Sequence, residues 1–517
     1  MNTVGFLSIP AGIAPEQEAL VCGDIRLRYA ETHARVRRLA CALAELGVGR
    51  RARVAVLATN SHRYVEAYYA TAMLGGVFVP INYRARQAEL EHMLRASEAT
   101  ILFVGQRYLP QVEGLRQAVP ALRETIVLDG TPEHPGVHDY EALVAAASED
   151  IEEAEVDDDD VSILMFTSGT TSLPKGVMLR YGDFSAYVTA NVELADGTPR
   201  GAALLCAPLY HIAGATNMMT TLWTGRRLVV LPQFEAGQWL ETVARERITH
   251  AFVVPTMLKQ LLDHPALGRT DLSSLELLSY GGAPMPFTVI RRAIEVFPRH
   301  VGFVNAFGQT ETTSTLTVLG PEDHRLGGSP DEDARTLKRL RSIGKPLPDV
   351  EVRIVGEEGE ALPPNAVGEI QVRTPRAMKG YAGTPSPFLA DGWLPTRDLG
   401  WIDEDGYLYL AGRKDDMIIR GGENIAPAEV EAVLGAHPAV DEVAVVGLAD
   451  VEWGQRVGAC VVLRPGASTT AAELGEWCRE RLASFKKPEV IRFCAELPKN
   501  AMGKILRGEL RSRLEAS

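Results

Sequence analysis

The first hundred residues alternate short apolar runs with helical repeats, and this alternation restricts the fold more than any other feature. Ile25-Arg-Leu-Arg-Tyr29 is strand-like, and Thr32 opens a helix with Val36, Leu39, Leu43 and Leu46 at helical spacing. Gly47 is placed to end that helix. Arg53 to Leu57 reads as a strand, Tyr64 to Leu74 as a helix, and Val77 to Ile81, after Gly75-Gly76, as a strand. Residues 88–96 and 100–104 repeat the helix and strand. Strands joined through helices form doubly wound, mostly parallel αβ sheets, whose ligands sit beyond the strand ends. Arg84 and Arg86 follow one such end. Both fit a solvated surface, and Arg84 is also a candidate phosphate contact.

At 517 residues, the chain exceeds one simple core and requires at least two domains. Its net charge of −14 argues against a nucleic-acid or anionic-membrane partner. The six cysteines (Cys22, Cys41, Cys206, Cys460, Cys478 and Cys494) are scattered without a CxxC pair. That pattern fits neither a zinc site nor a disulfide framework, but suits a reducing compartment. No export signal or run of ~20 apolar residues is present, so a cytoplasmic protein without an integral membrane segment is expected. Glu149 to Asp160 ends in four aspartates and reads as a solvated linker, because like charges repel and stay extended.

The linker leads to Phe166-Thr-Ser-Gly-Thr-Thr-Ser-Leu-Pro-Lys-Gly176, after an apolar strand from Val161 to Met165. Thr167, Ser168, Gly169, Thr170 and Thr171 supply hydroxyls and exposed backbone N–H groups, and Lys175 adds a cation. Such a loop can grip phosphates. It is not a Walker A loop, because Lys175 is followed by Gly176 and the glycine spacing differs. Read alone, it also fits a flexible turn.

A second stretch, Val304-Asn-Ala-Phe-Gly-Gln-Thr-Glu-Thr-Thr313, delivers Asn305, Phe307, Gly308, Thr310 and Glu311 from a strand end. An aromatic face can stack on adenine, a hydroxyl can bond a phosphate, and a carboxylate can hold Mg²⁺ together with substrate oxygens. A helix-capping Thr-Glu pair is the plain alternative. The third stretch is Leu410-Ala-Gly-Arg-Lys-Asp-Asp-Met-Ile-Ile419, and the chain closes on Leu497-Pro-Lys-Asn-Ala-Met-Gly-Lys504.

These stretches, in this order, resemble the adenylate-forming enzymes, and most closely the acyl-CoA synthetases and aryl-CoA ligases of the 4-chlorobenzoate–CoA ligase type. The resemblance implies an N-terminal adenylation domain, residues 1–414, of two αβ sheets and a small β-barrel. A mobile α+β lid, residues 415–517, would follow, with Asp415 at the hinge. By the same resemblance, Lys504 is catalytic, Glu311 is the metal ligand, and Gly281, Gly282 and Ala283 lie against adenine. Asp398 and Arg413 would bind the ribose, an acceptor-only carboxylate suiting its hydroxyls. His211, Gly214 and Ala215 are candidates for the acyl pocket, the small residues leaving room. Gly421 and Gly422 would line a CoA tunnel, with Trp453 on the CoA adenine and Lys487 near its phosphates.

The resemblance implies ATP and Mg²⁺, a small-molecule carboxylic acid, and CoA as thiol substrate. The acid attacks the α-phosphorus, pyrophosphate leaves, and the thiol then attacks the acyl-adenylate. An amine acceptor giving an amide fits the same adenylation motifs, as does loading onto a carrier protein in trans. A non-catalytic relative of the same fold fits poorly with Lys175, Glu311, Asp398, Arg413 and Lys504 all present. A homodimer is the commonest assembly in general. Three positions depart from the family pattern: Ser172 and Arg397 stand where glycine is usual, and Tyr181 where histidine is usual.

Overall fold

The computed structural model describes residues 1–115, 117–130, 137–167, 173–500 and 503–515. The chain divides into two compact units. Among the described residues, one contains 1–167, 173–340 and 374–387, and the other 341–373 and 388–515.

The first unit carries two parallel-rich sheets with helical crossovers, as the alternation of elements requires. One sheet has the strand order Gly380–Tyr381, Lys175–Arg180, Val161–Thr167, Val77–Pro80, Arg53–Leu57, Ile101–Val104, Glu124–Val127, Val137–Asp139. It is parallel from Val161–Thr167 onward. Lys175–Arg180 and Gly380–Tyr381 extend its other edge antiparallel. In the other sheet, Ser314–Leu319, Gly302–Gln309, Leu277–Gly281, His250–Val253, Ala202–Leu205, Arg227–Val230, Glu18–Cys22 and Ile25–Arg28 are successive neighbours. The N-terminal strands therefore join the sheet built mainly from residues 202–319, with Glu18–Cys22 running parallel to Arg227–Val230.

The helices fall where periodicity places them, with shifted ends. The helix expected from Thr32 begins at Tyr29, where the Glu31 carboxylate accepts the backbone N–H of Arg28 at 2.8 Å. Gly47 follows its end with φ of +87°, a conformation glycine adopts at little cost. Tyr181 opens a helix of its own and is fully buried, its hydroxyl donating to the Gly76 carbonyl at 2.8 Å. A phenol that long spans from one crossover to the next and closes a buried acceptor, which accounts for tyrosine at this position.

The acidic segment is not simply solvated. Asp160 is buried and accepts from Arg50 and from Arg51, whose Nε lies 3.0 Å from it. Burial opposes its charge, but hydrogen bonds from Arg50, the Asp157 N–H and Arg51 outweigh it and hold its pKa at about 2. Basic side chains receive other charges of the run as well: Glu149 pairs with Arg38, and Asp159 with Lys379.

In the second unit, Glu351–Val355, Gly368–Arg373, Leu394–Ile402 and Leu408–Arg413 form a four-stranded antiparallel sheet in that order. A short turn, Lys414–Asp416, leads to the terminal α+β region. There a hairpin of Val440–Asp450 and Gly454–Leu463 packs on one face against Pro427–Gly435 and Ala471–Arg479 and on the other against the final helix Arg507–Glu515. Its core includes Ile418, Ile425, Val430, Leu434, Val445 and Val457.

Candidate active site

The candidate site residues of the first unit gather at the carboxyl ends of its parallel strands, the ligand edge of such sheets. Thr167 and Lys175 are the final register pair of an antiparallel hairpin, so Lys175 opens a strand rather than sitting inside a loop. Ser168, Gly169, Thr170, Thr171 and Ser172 lie outside the described residues. His92, on the helix Gln87–Ser97, lies 2.9 Å through Nε2 from the Pro174 carbonyl, an arrangement that requires the proton on Nε2.

Glu311 stands in a short helical turn, Thr310–Thr312, after the strand Gly302–Gln309. The segment Ala377–Tyr381 wraps against it: the Met378 N–H donates to the Glu311 carbonyl, and the Tyr381 hydroxyl donates to its Oε1 at 2.9 Å. Lys175 Nζ lies 5.5 Å from the centre of the same tyrosine ring. One phenol thus stands between an ammonium and a carboxylate. Beneath them, the fully buried Arg376 donates to the Thr312 carbonyl at 3.0 Å and lies over the Tyr187 ring. Tyr381 and Arg376 escaped the sequence reading because their place depends on a strand pairing, Tyr381 with Val177, across two hundred residues.

The residues flanking Glu311 are set by the sheet. Asn305 pairs with Tyr280 and Leu319, and Phe307 with Thr317. At Gly308, a Cβ would meet the Ser314 carbonyl at 1.7 Å, so only glycine permits that antiparallel contact. Gly281 ends the neighbouring strand, and Gly282 and Ala283 follow in the turn beyond.

The loop carrying His211 is fastened to the other sheet by Asn60, which is buried. Its Nδ2 donates to the Ala207 and Leu231 carbonyls at 3.0 and 3.3 Å, and its Oδ1 accepts the Leu209 N–H at 2.9 Å. Tyr83 packs edge-on against Tyr210, whose ring lies 4.5 Å from that of His211. Desolvation pushes the His211 pKa down to about 4, so the imidazole is neutral at pH 7. Gly214 does not leave open room: a Cβ there would meet the Pro208 carbonyl at 2.4 Å. Ala215 is buried in the same helix, Ile212–Trp223. The sequence signal for Asn60 is an asparagine just past a strand end.

The second unit carries the remaining candidates. Asp398 and Arg413 face one another across paired strands, with Nε donating to Oδ1 at 2.8 Å. Asp398 is buried, and the charge-assisted hydrogen bond holds both side chains in place. In the terminal region, Gly421 has φ of +58° and its N–H donates to the Trp453 carbonyl at 2.8 Å. A Cβ on Gly421 would lie 2.7 Å from Trp453 Cε3. Gly422 follows in the same turn, and Trp453 is 46% exposed with Arg420 over its ring. Lys487 is two residues past Phe485, whose carbonyl accepts from Arg420 at 3.0 Å. The Lys504 N–H donates to Asn500 Oδ1 at 2.9 Å, and its carbonyl accepts the Asn500 N–H.

Among the described residues, no three His, Cys, Asp or Glu side chains cluster as a metal cage. Glu311 keeps Oε2 without a hydrogen-bond donor among the described residues. A single carboxylate of this kind suits an ion that shares its coordination with substrate phosphates and water.

Known proteins resemble this chain along its whole length. Residues 10–382 match the AMP-binding enzyme family, and residues 429–504 match the AMP-binding enzyme C-terminal domain. The feruloyl-CoA synthase of Amycolatopsis sp is 37% identical over 99% of this chain and 100% of its own length. The anthranilate CoA ligase AuaEII, solved with anthranoyl-AMP, superposes with a TM-score of 0.89 at 28% identity, covering 100% of this chain and 98% of that one. The amide bond synthetase McbA of Marinactinospora thermotolerans gives 0.86 at 31% identity, covering 99% and 100%. With both family regions present in order on the same two-unit architecture, the chain belongs to the AMP-binding family of adenylate-forming enzymes.

Proposed function

We propose that the protein is an AMP-forming acid–thiol ligase that activates a carboxylic acid with ATP and transfers the acyl group to the thiol of CoA. The carboxylate oxygen bonds to the α-phosphorus as the bond to the pyrophosphate oxygen breaks. The thiol sulfur then bonds to the acyl carbon, losing its proton, and AMP leaves. No nucleophile on the protein is consumed. The reading rests first on the arrangement of Lys175, Tyr381 and Glu311, which sets a cation and an oriented carboxylate at the strand ends.

Two anions must approach one another in the first step, so charge has to be neutralised where it develops. Lys175 would hold phosphate oxygens, and the Tyr381 hydroxyl, donating to Glu311, would keep its carboxylate aligned. Mg²⁺ bound by Glu311 would supply further neutralisation of the triphosphate. Asp398 and Arg413 would take the ribose, and the adenine would lie against 281–283 and Phe307. The neutral His211 would sit beside the acid without competing for its charge. Lys504 is the cation assigned to the carboxylate and α-phosphate oxygens.

CoA is favoured as acceptor by the exposed Trp453, stacked under Arg420 and joined to the Gly421–Gly422 turn. A large exposed aromatic beside a cation suits a nucleotide base. The likeness to an amide bond synthetase favours a second reading, in which an amine attacks the same adenylate. Both fit a cytoplasmic setting with ATP; the six cysteines form no disulfide, and no described helix is long and apolar enough to cross a membrane.

Mass spectrometry of one reaction tests this. The protein is incubated with Mg-ATP and a panel of aromatic, cyclic and fatty acids, with CoA, with amino acids, or with neither. Acyl-CoA and AMP appearing together are expected. Amides formed without CoA would replace the thiol acceptor by an amine. No AMP from any mixture, with folded protein, would overturn the ligase reading. Lys504→Ala is expected to lower adenylate formation by about two orders of magnitude, the scale for removing a charge that meets the transition state.

A further inference from the structure

Three consecutive charged residues, Lys414, Asp415 and Asp416, form the turn between the four-stranded sheet and the terminal region, and their ion pairs point in two directions. Lys414 reaches back to Glu369, on the strand Gly368–Arg373, at 3.1 Å. Asp415 also reaches back, to Arg397 on the strand Leu394–Ile402. That contact is two-pronged: Arg397 Nε donates to Oδ2 at 2.8 Å, and Nη2 donates to Oδ1. Asp416 reaches forward, its Oδ2 lying 3.3 Å from Arg507 Nε at the start of the final helix. Arg507 in turn pairs with Glu431, on the helix Pro427–Gly435, at 2.8 Å. The ownership of the turn therefore changes between Asp415 and Asp416.

Arg397 makes its contact from an unfavourable backbone. Its φ is +62°, the left-handed region where a side chain meets its own carbonyl and where glycine is at ease. A non-glycine residue held there marks a place where the side chain contributes something the backbone opposes. The fork of a guanidinium on a carboxylate is what this side chain adds.

We propose that Arg397 is a positioning residue for the two-step reaction, latching the upstream half of the 414–416 turn so that the chain pivots at the Asp415–Asp416 linkage. This rests on the acid–thiol ligase reading, in which adenylate and thioester formation call on different terminal-region residues, Lys504 and the Gly421–Gly422 turn. A pivot needs only a few backbone torsions, provided that the residues on each side move with their own domain. Lys414 and Asp415 are tied to one side and Asp416 to the other. The Arg397–Asp415 pair is solvent-accessible, with side chains 58% and 34% exposed, so salt screens it and its grip is modest. A modest grip suits a latch that must open in every cycle.

The test measures the half-reactions separately. Pyrophosphate release is followed with ATP and acid alone, and thioester formation is followed by adding CoA to preformed acyl-adenylate. Wild-type protein is compared with Arg397→Ala, Arg397→Gly and Arg397→Lys at low and high NaCl. Arg397→Gly relieves the backbone and guards against a folding defect. The ratio of the two rates is expected to change by about two- to fivefold in the alanine and glycine variants, the scale of an exposed pair. Lysine should restore it in part, and added salt should move the wild-type ratio toward the alanine value while leaving alanine unmoved. Equal scaling of both rates, or an unchanged ratio in all variants, would overturn the latch and leave the ligase standing. Absence of adenylate from the wild-type protein would remove the ligase reading and the latch with it.

Discussion

Tyr381 donates its hydroxyl to Glu311 Oε1 at 2.9 Å while its ring lies 5.5 Å from Lys175 Nζ, so one residue orients both charges of the candidate phosphate site. Partners that orient a ligating carboxylate commonly affect metal affinity by 10- to 100-fold. Tyr381→Phe keeps the ring over Lys175 and removes only the hydroxyl. The Mg²⁺ concentration for half-maximal AMP formation should rise about tenfold, with little change in thermal stability. An unchanged Mg²⁺ requirement would detach Tyr381 from the metal.

Asn60 closes three hydrogen bonds between the two sheets of the first unit. Asn60→Ala leaves two carbonyls and one N–H unpaired in a buried setting. Unfolding in urea should show a loss of about 2–4 kcal/mol, since each orphaned group costs on the order of 1–3 kcal/mol with partial relief by relaxation. The KM for the acid should rise as well, because the freed segment leads to His211.

Gly421→Ala adds a methyl where Trp453 Cε3 stands 2.7 Å away and φ is +58°. The indole edge is exposed and can yield, so the region still folds, but the turn and the ring shift. The KM for CoA is predicted to increase about tenfold, while pyrophosphate release without CoA stays near wild type. Equal losses in both steps would argue that the turn is structural.

Four histidines, His62, His211, His250 and His324, have pKa values lowered to about 4 by desolvation. Unfolded, each returns to an ordinary value near 6.5. Between those values the unfolded chain binds more protons, so stability is full above about pH 6.5 and falls as pH drops toward 4. His324 shows desolvation prevailing: burial lowers its pKa even though the Gly320 carbonyl, 2.7 Å from Nδ1, favours the charged ring. His324→Gln should reduce the slope of unfolding free energy between pH 6.5 and 5 by up to about 1.4 kcal/mol per pH unit, one proton's worth. An unaltered slope in urea titrations would show that His324 does not contribute.

The sequence reading of the helices and strands held because burial on one face imposes a period that no distant contact can alter. Arg53–Leu57 has the bounds its apolar run predicts, while a longer strand such as Val440–Asp450 runs past its apolar centre. Sheet pairing supplies hydrogen bonds to residues of any polarity, so hydropathy underestimates such ends. Lys175, expected in a loop, enters a strand for the same reason.

Local chemistry along the chain thus determined the αβ alternation, the hydroxyl-rich stretch before Lys175, and the delivery of Phe307 and Glu311 from a strand end. Those features depend on neighbours within a few residues. Tertiary structure alone decided that Glu18–Cys22 joins Arg227–Val230, that Tyr381 reaches Glu311, and that Asp398 faces Arg413. It also gave Arg397 a partner in Asp415. Each of these is a pairing between segments whose separate patterns are compatible with many partners, and only close packing of the whole unit selects one.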